Sequence, residues 1–382
     1  MKIVADSQIP LVAEAFSRYG DVTLYQSRDI GPAQLVDADV LLVRSVTRVD
    51  ARLLQDSKVR FVGTATSGID HVDREFLEQA GIGFIAAAGS NAQSVVEYVL
   101  SSLFALASQQ DIRLSDLTVG IIGCGQVGSR LLEALAVLGV QCLINDPPLK
   151  DKTGDEKYRE LEALYQADVL TLHVPLTETG PYPTRKLLDE TIFSAIKTDA
   201  IIINTARGGV VNEQDLQDFL ARNPDASVVL DVWENEPAID QHLLAATAIG
   251  TPHIAGYSLD GKIRATGMVY EGFCDYFLLE KHWHPVLRIM DAGLHNIRID
   301  AGVTDEEALQ YAVLGHYDVR SDAAALRRMI ELDVDQREFY FDELRKNYPA
   351  RREFGSTGIS VDKDRTGLIT KLGKLGFRVV AL

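Results

Sequence analysis

The chain has 382 residues, 46% hydrophobic and 24% charged, with a formal net charge of −17, a length that predicts two or three domains. The acidic balance excludes nucleic acid as a general partner while leaving room for a small anion in a local basic pocket. No apolar run is long enough to cross a bilayer, no signal pattern follows Met1, and three cysteines at unrelated spacings (Cys124, Cys142, Cys274) predict a reducing, cytoplasmic setting with no membrane partner, no disulfides and no metal.

Residues 2–5 read as a short apolar strand, followed by a helical pattern from residue 9 to residue 19. Further strands are expected at 22–25, 38–43 and 59–63, and strands alternating with helices imply a parallel, doubly wound sheet. Ligands of such sheets sit beyond the carboxyl ends of the strands. Two of those ends are polar, Arg44-Ser45 and Thr64-Ala-Thr66-Ser67. Ser45 and Thr66 read as ligand contacts; Thr64 and Ser67 read as helix caps. Residues 97–108 form a long apolar helix pattern leading into the next unit.

That unit opens with Thr118–Ile122, short, apolar and β-branched, which reads as a strand buried on both faces. Gly123-Cys-Gly125-Gln126-Val127-Gly128 follows, a G-x-G-x-x-G run where strand becomes helix. Gly123 permits the tight turn, Gly125 lets a pyrophosphate approach the backbone, and Gly128 lets helix and strand pack closely. The helix expected over 128–138 aims its positive end at the phosphates. A second strand over 140–144 ends at Asp146, where a carboxylate accepts hydrogen bonds from an adenosine ribose and repels a 2′-phosphate, so NAD is expected rather than NADP.

Strands at 168–174, 200–205, 228–231 and 248–251 continue the series. Three polar groups follow strand ends. Arg207, before Gly208-Gly209, offers a planar fork that grips a carboxylate bidentately. Asp231-Val-Trp-Glu-Asn-Glu236-Pro237 supplies acids. His253, after Thr251-Pro252, is an imidazole suited to taking a hydroxyl proton, with an acid upstream to orient it. Arginine, histidine and glutamate together suit oxidation of a 2-hydroxy acid with NAD as the hydride acceptor. His282-Trp-His284 lacks further ligands at metal-site spacing and reads as a loop. The chain is expected to return to its first sheet through a helix over 263–279. From Pro285 the character changes to strand, loop (Leu314-Gly-His-Tyr-Asp318) and helix (323–332), with a last strand at 376–382; this tail suits a subunit interface.

These motifs, in this order across residues 1 to about 280, resemble the D-isomer-specific 2-hydroxyacid dehydrogenases. The resemblance implies two Rossmann-like domains, the nucleotide domain (96–255) inserted in a substrate domain (1–95, completed by 256–284), plus a small α+β dimerisation domain (285–382). It implies Arg207, Glu236 and His253 as the catalytic trio, and NAD contacts at Gln126, Val127, Asp146, Ala206, Arg207, Asp231 and Gly256. Arg44-Ser-Val-Thr47, Gly180-Pro-Tyr-Pro-Thr184, Ala255-Gly-Tyr257-Ser258 and the tail with Asn347-Tyr-Pro-Ala-Arg-Arg-Glu-Phe354 are similar to a branch acting on a small phosphorylated 2-hydroxy acid. That likeness implies Ser45, Thr66 and Tyr257 as substrate contacts and a homodimer through the C-terminal domain. Arg44 and Arg48 both remain open as partners of the phosphate, and a different phosphorylated acid or an NAD(H)-sensing regulator remains the alternative reading.

Overall fold

A computed structural model describes residues 1–284 and 295–382; the boundary expected at Pro285 lies outside the described residues. The chain forms two compact units, Met1–Ala92 with Tyr257–Met290, and Gln93–Gly256 with Asp291–Leu382.

In the first unit, β1 (Lys2–Asp6), β2 (Asp21–Tyr25), β3 (Val40–Val43), β4 (Phe61–Thr64) and β5 (Gly83–Ala86) make a parallel sheet in the order β2-β1-β3-β4-β5. Both faces are covered, which is why β3 is apolar at every position. Val40 and Leu42 pack with Ile3, Ala5, Phe61, Tyr270 and Phe273 on one side. Leu41 and Val43 pack with Val4, Leu35 and Val62 on the other. Tyr270 and Phe273 come from the helix Leu259–Tyr276, whose first turn is capped by the Ser258 hydroxyl accepting from the Gly261 N–H at 2.9 Å. The helix expected over 9–19 shrinks to Val12–Phe16, because Leu11 takes a left-handed backbone, φ 59°, just before it.

In the second unit, β6 (Thr118–Ile122), β7 (Gln141–Asn145), β8 (Val169–Leu172), β9 (Ile201–Asn204), β10 (Ser227–Leu230) and β11 (Ile249–Gly250) form a parallel sheet in the order β11-β10-β9-β8-β6-β7. The order reverses between β6 and β8, and ligands of open α/β sheets bind beyond the carboxyl ends at such a point. The tail adds a three-stranded parallel sheet of β12 (His295–Arg298), β13 (Thr357–Val361) and β14 (Arg378–Ala381). Its helical part packs into the nucleotide unit: Leu326, Met329 and Phe341 share a core with Trp233, Leu243 and Leu244.

Leu314-Gly-His316, expected as loop, ends the helix Asp305–His316. A capping box between Thr304 and Glu307 starts that helix, and Ala308, Leu309, Ala312 and Val313 bury one face of it. The helix expected over 323–332 is Val319–Arg327 running into the 3₁₀ turn Arg328–Glu331.

Candidate active site

The glycine loop meets the demands of a bound pyrophosphate at three separate positions. Gly123 has φ +90°, and a Cβ there would stand 2.7 Å from the His173 carbonyl oxygen. At Gly128 a Cβ would stand 2.0 Å from the Gly123 carbonyl oxygen, so only glycine lets the helix sit this close to the turn. Gly125, the N-cap of the helix Gln126–Leu138, faces open space, with no heavy atom within 4 Å of its would-be Cβ. A cradle with this room at a helix N-terminus is where backbone N–H groups and the helix dipole receive phosphate. Gln126 and Val127 form the first turn, the Gln126 side chain held by Arg130 at 2.9 Å.

Asp146 follows β7 and is half-buried. Its Oδ2 accepts the Cys124 N–H at 2.7 Å and its Oδ1 accepts the Leu149 N–H at 2.9 Å. One carboxylate thereby fixes the glycine loop and caps the next helix. Each oxygen keeps a second lone pair for a ribose hydroxyl. His173, at the end of β8, bonds Thr171 through Nε2 at 2.9 Å, and desolvation pushes its pKa down to about 3, so it stays neutral and structural.

His253 sits on the loop after β11, with φ 57°. Its Nδ1 meets Glu236 Oε2 at 2.8 Å, and the other Glu236 oxygen accepts the Trp233 N–H at 2.9 Å. Burial raises the Glu236 carboxyl pKa, but the hydrogen bond and charge of His253 outweigh it, and the net shift is downward. The pair is therefore held with glutamate ionised. Asp231, 1% exposed, supports the same loop. Its Oδ1 accepts from the Thr251 hydroxyl and the Ile254 N–H, both at 2.7 Å, and its Oδ2 accepts the Ala255 N–H at 2.9 Å. The Asp231 carbonyl takes the His253 N–H at 2.7 Å.

Arg207 follows β9. Asn204 clamps this turn, accepting the Ala206 N–H at 3.0 Å and donating to the Arg207 carbonyl at 2.9 Å. At Gly208 a Cβ would stand 2.0 Å from the Trp233 carbonyl oxygen, so glycine lets the Arg207 turn and the Trp233–Glu236 turn touch. Arg207, Glu236 and His253 line one cavity of about 320 Å³ together with Arg185, Trp233 and Asn235. A fork for a carboxylate, an imidazole and its orienting acid thus share one space, the parts a 2-hydroxy acid oxidation needs.

Ala206 is buried and Gly256 half-buried in this unit. Ser45, Thr66 and Tyr257 belong to the first unit. Ser45 is exposed after β3. The Thr66 hydroxyl meets Thr64 Oγ1 at 2.8 Å and donates to the Gly68 carbonyl at 2.9 Å. Thr64, expected as a cap, instead bonds His71 Nε2 at 2.9 Å, and Ser67 accepts the Gly89 N–H at 2.8 Å. Among the described residues no metal-ligand cluster is present.

Two contributors escaped sequence reasoning. Asn204 closes the apolar strand β9, and an asparagine in that place is a signal for a side-chain turn. Arg351 lies in the Asn347–Phe354 run, but nothing local to that run signals its partner: it reaches the Ala255 carbonyl from 96 residues away.

Residues 84–255 match the family model described as D-isomer specific 2-hydroxyacid dehydrogenase, NAD binding domain, and residues 290–376 match a domain of unknown function. The chain is 44% identical over 379 residues to an erythronate-4-phosphate dehydrogenase of Hahella chejuensis, covering 99% of each chain. It is 45% identical over 383 residues to one of Shigella boydii, covering 100% of this chain and 99% of that one. Among solved structures, D-lactate dehydrogenase from Aquifex aeolicus with NAD and lactic acid shares the fold (TM-score 0.60, 24% identity, 73% of this chain, 96% of that one). So does NAD⁺-bound 3-phosphoglycerate dehydrogenase of Entamoeba histolytica (TM-score 0.62, 24% identity, 73% and 95%).

The chain belongs to the D-isomer-specific 2-hydroxyacid dehydrogenases and is an NAD-dependent oxidoreductase. Within that family, both full-length relatives carry the name erythronate-4-phosphate dehydrogenase.

Proposed function

We propose that this enzyme oxidises 4-phospho-D-erythronate to 2-oxo-3-hydroxy-4-phosphobutanoate, a step of pyridoxal 5′-phosphate biosynthesis. The substrate reading is supported by the name shared by relatives at 44–45% identity over the full chain. The reaction reading rests on one observation: the His253–Glu236 pair, 2.8 Å apart, lines the same cavity as Arg207.

Arg207 grips the substrate carboxylate. His253, its Nδ1 occupied by Glu236, turns Nε2 to the 2-hydroxyl and takes that proton. As the O–H and C2–H bonds break, the C2=O bond forms, and the Glu236 carboxylate stabilises the imidazolium produced. NAD, when bound, accepts the hydrogen of the C2–H bond with its two electrons. Gly123, Gly125, Gln126, Val127, Gly128, Asp146, Ala206, Arg207 and Gly256 are its proposed contacts. For Asp231 we favour support of the His253 loop, since three donors already occupy its carboxylate. Ser45, Thr66 and Tyr257 are the proposed substrate contacts in the first unit.

The same reading has the enzyme work in the cytoplasm, consistent with its three free thiols, as a homodimer through the tail. Val334 (77% exposed) and Phe339 (69%) are apolar side chains of that tail open to a partner copy. Purified protein given NAD and 4-phospho-D-erythronate is expected to yield the 2-oxo acid and NADH in equal amounts. Folded, NAD-binding protein that yields neither would overturn the proposal.

A further inference from the structure

Lys262 lies in the first turns of the helix Leu259–Tyr276, where a positive charge opposes the helix dipole. It is half-buried, and its Nζ stands 4.9 Å from the centre of the Tyr257 ring. Burial first, and then the positive charge of Arg44, push its pKa below the usual lysine value. Arg44 donates to the Gln8 side chain. Among the described residues neither cation has an ion-pair partner. Arg48, the other basic residue after β3, is 83% exposed and pairs with Asp50 at 3.3 Å, so it behaves as surface charge. Two half-buried cations, neither paired with an acidic side chain among the described residues, are an unbalanced arrangement.

Their position gives that imbalance a meaning. Gln8 follows β1 and Arg44 follows β3, the neighbouring strands between which the sheet order reverses. Their hydrogen bond spans the carboxyl-end crevice where ligands of such sheets bind. Arg44 precedes Ser45, and Lys262 stacks on Tyr257, two of the proposed substrate contacts. A carboxylate brings one negative charge, whereas a phosphate monoester brings about −1.5 to −2 near neutral pH, matching two cations. Arg207 is already assigned to the carboxylate.

We infer that Arg44 and Lys262, with the Tyr257 ring beneath the ammonium, form the binding site for the phosphate monoester of the substrate. The inference rests on the proposed reading that the substrate is a phosphorylated 2-hydroxy acid. It also sets specificity, because an unphosphorylated acid would leave both cations unbalanced.

The test uses the full-length enzyme and its Lys262→Met, Lys262→Arg and Arg44→Gln variants. Binding of inorganic phosphate is measured by calorimetry, and kcat/KM is compared for 4-phospho-D-erythronate and D-erythronate. Lys262→Met is expected to weaken phosphate binding and to lower the preference for the phosphorylated acid about 10- to 100-fold, while Lys262→Arg keeps most of both. If Lys262→Met does not fold, Arg44→Gln carries the same expectation. Unchanged phosphate affinity and unchanged preference in the folded variants would overturn the inference while leaving the proposed reaction intact. Wild-type protein that binds phosphate through these residues but oxidises no phosphorylated acid would instead remove the reaction and keep the anion site.

Discussion

The Arg351 guanidinium donates to the carbonyl oxygen of Ala255 at 2.5 Å, two residues from His253. It also donates to the Ser94 carbonyl at 3.0 Å and lies 4.3 Å over the Tyr317 ring. The tail therefore holds the histidine loop from one side while Asp231 holds it from the other. Replacing Arg351 by Met should lower the stability of the second unit by about 1–3 kcal/mol, the cost of an unpaired buried acceptor. It should also lower kcat about tenfold through misplacement of His253, a milder loss than direct removal of a catalytic group. Thermal unfolding and steady-state kinetics check both; a wild-type kcat with only lowered stability would confine Arg351 to folding.

The glycine loop separates fit from function. Gly125→Ala should fold with wild-type stability, because its Cβ meets nothing within 4 Å, yet should weaken NAD binding about tenfold by occupying the phosphate cradle. Gly128→Ala and Gly208→Ala should instead lower stability, since each Cβ would stand 2.0 Å from a backbone oxygen. Melting temperatures with and without NAD distinguish the two behaviours. Equal NAD affinity for Gly125→Ala and wild type would remove the cradle's assigned role.

The elements that were legible in the sequence are the ones that bury both faces. Thr118–Ile122 is the strand expected there, and Val40–Val43 and Ile201–Asn204 fall inside the spans read from their apolar runs. That Arg207, Glu236 and His253 line one cavity was legible because each follows a strand end, and strand ends converge in this fold. Gly83–Ala86 was missed: a four-residue strand with two small residues carries little β signal. The tail was harder still. Its strands β12, β13 and β14 are separated by helices and its core is completed by residues near 243, so its packing depends on contacts remote in sequence.

Glu97 gives a pH signature. Buried beside Glu353 and Arg351, it accepts from Gln93 and the Phe354 N–H, and burial pushes its pKa from 4.5 to about 8. A carboxyl raised in the folded state contributes stability that is fully present below pH 4.5 and is lost as pH rises through about 8. Glu97→Gln, neutral at every pH, should therefore gain a few degrees of melting temperature over wild type at pH 8.5 and little at pH 5. An equal difference at both pH values would contradict the raised pKa.

The proposed dimer makes a separate demand on the tail. Phe339→Glu with Val334→Glu alters exposed side chains and leaves the shared core of Leu326, Met329 and Phe341 untouched. The double variant should sediment as a folded monomer. A folded dimer would place the subunit contact elsewhere.

The claim on which the mechanism stands is that the imidazole of His253, oriented by Glu236, takes the hydroxyl proton. Its most direct test is the turnover of His253→Ala alongside its NAD affinity. The expected result is a fall in kcat of about 10²–10⁴-fold with NAD binding nearly intact. Turnover at the wild-type rate would contradict it.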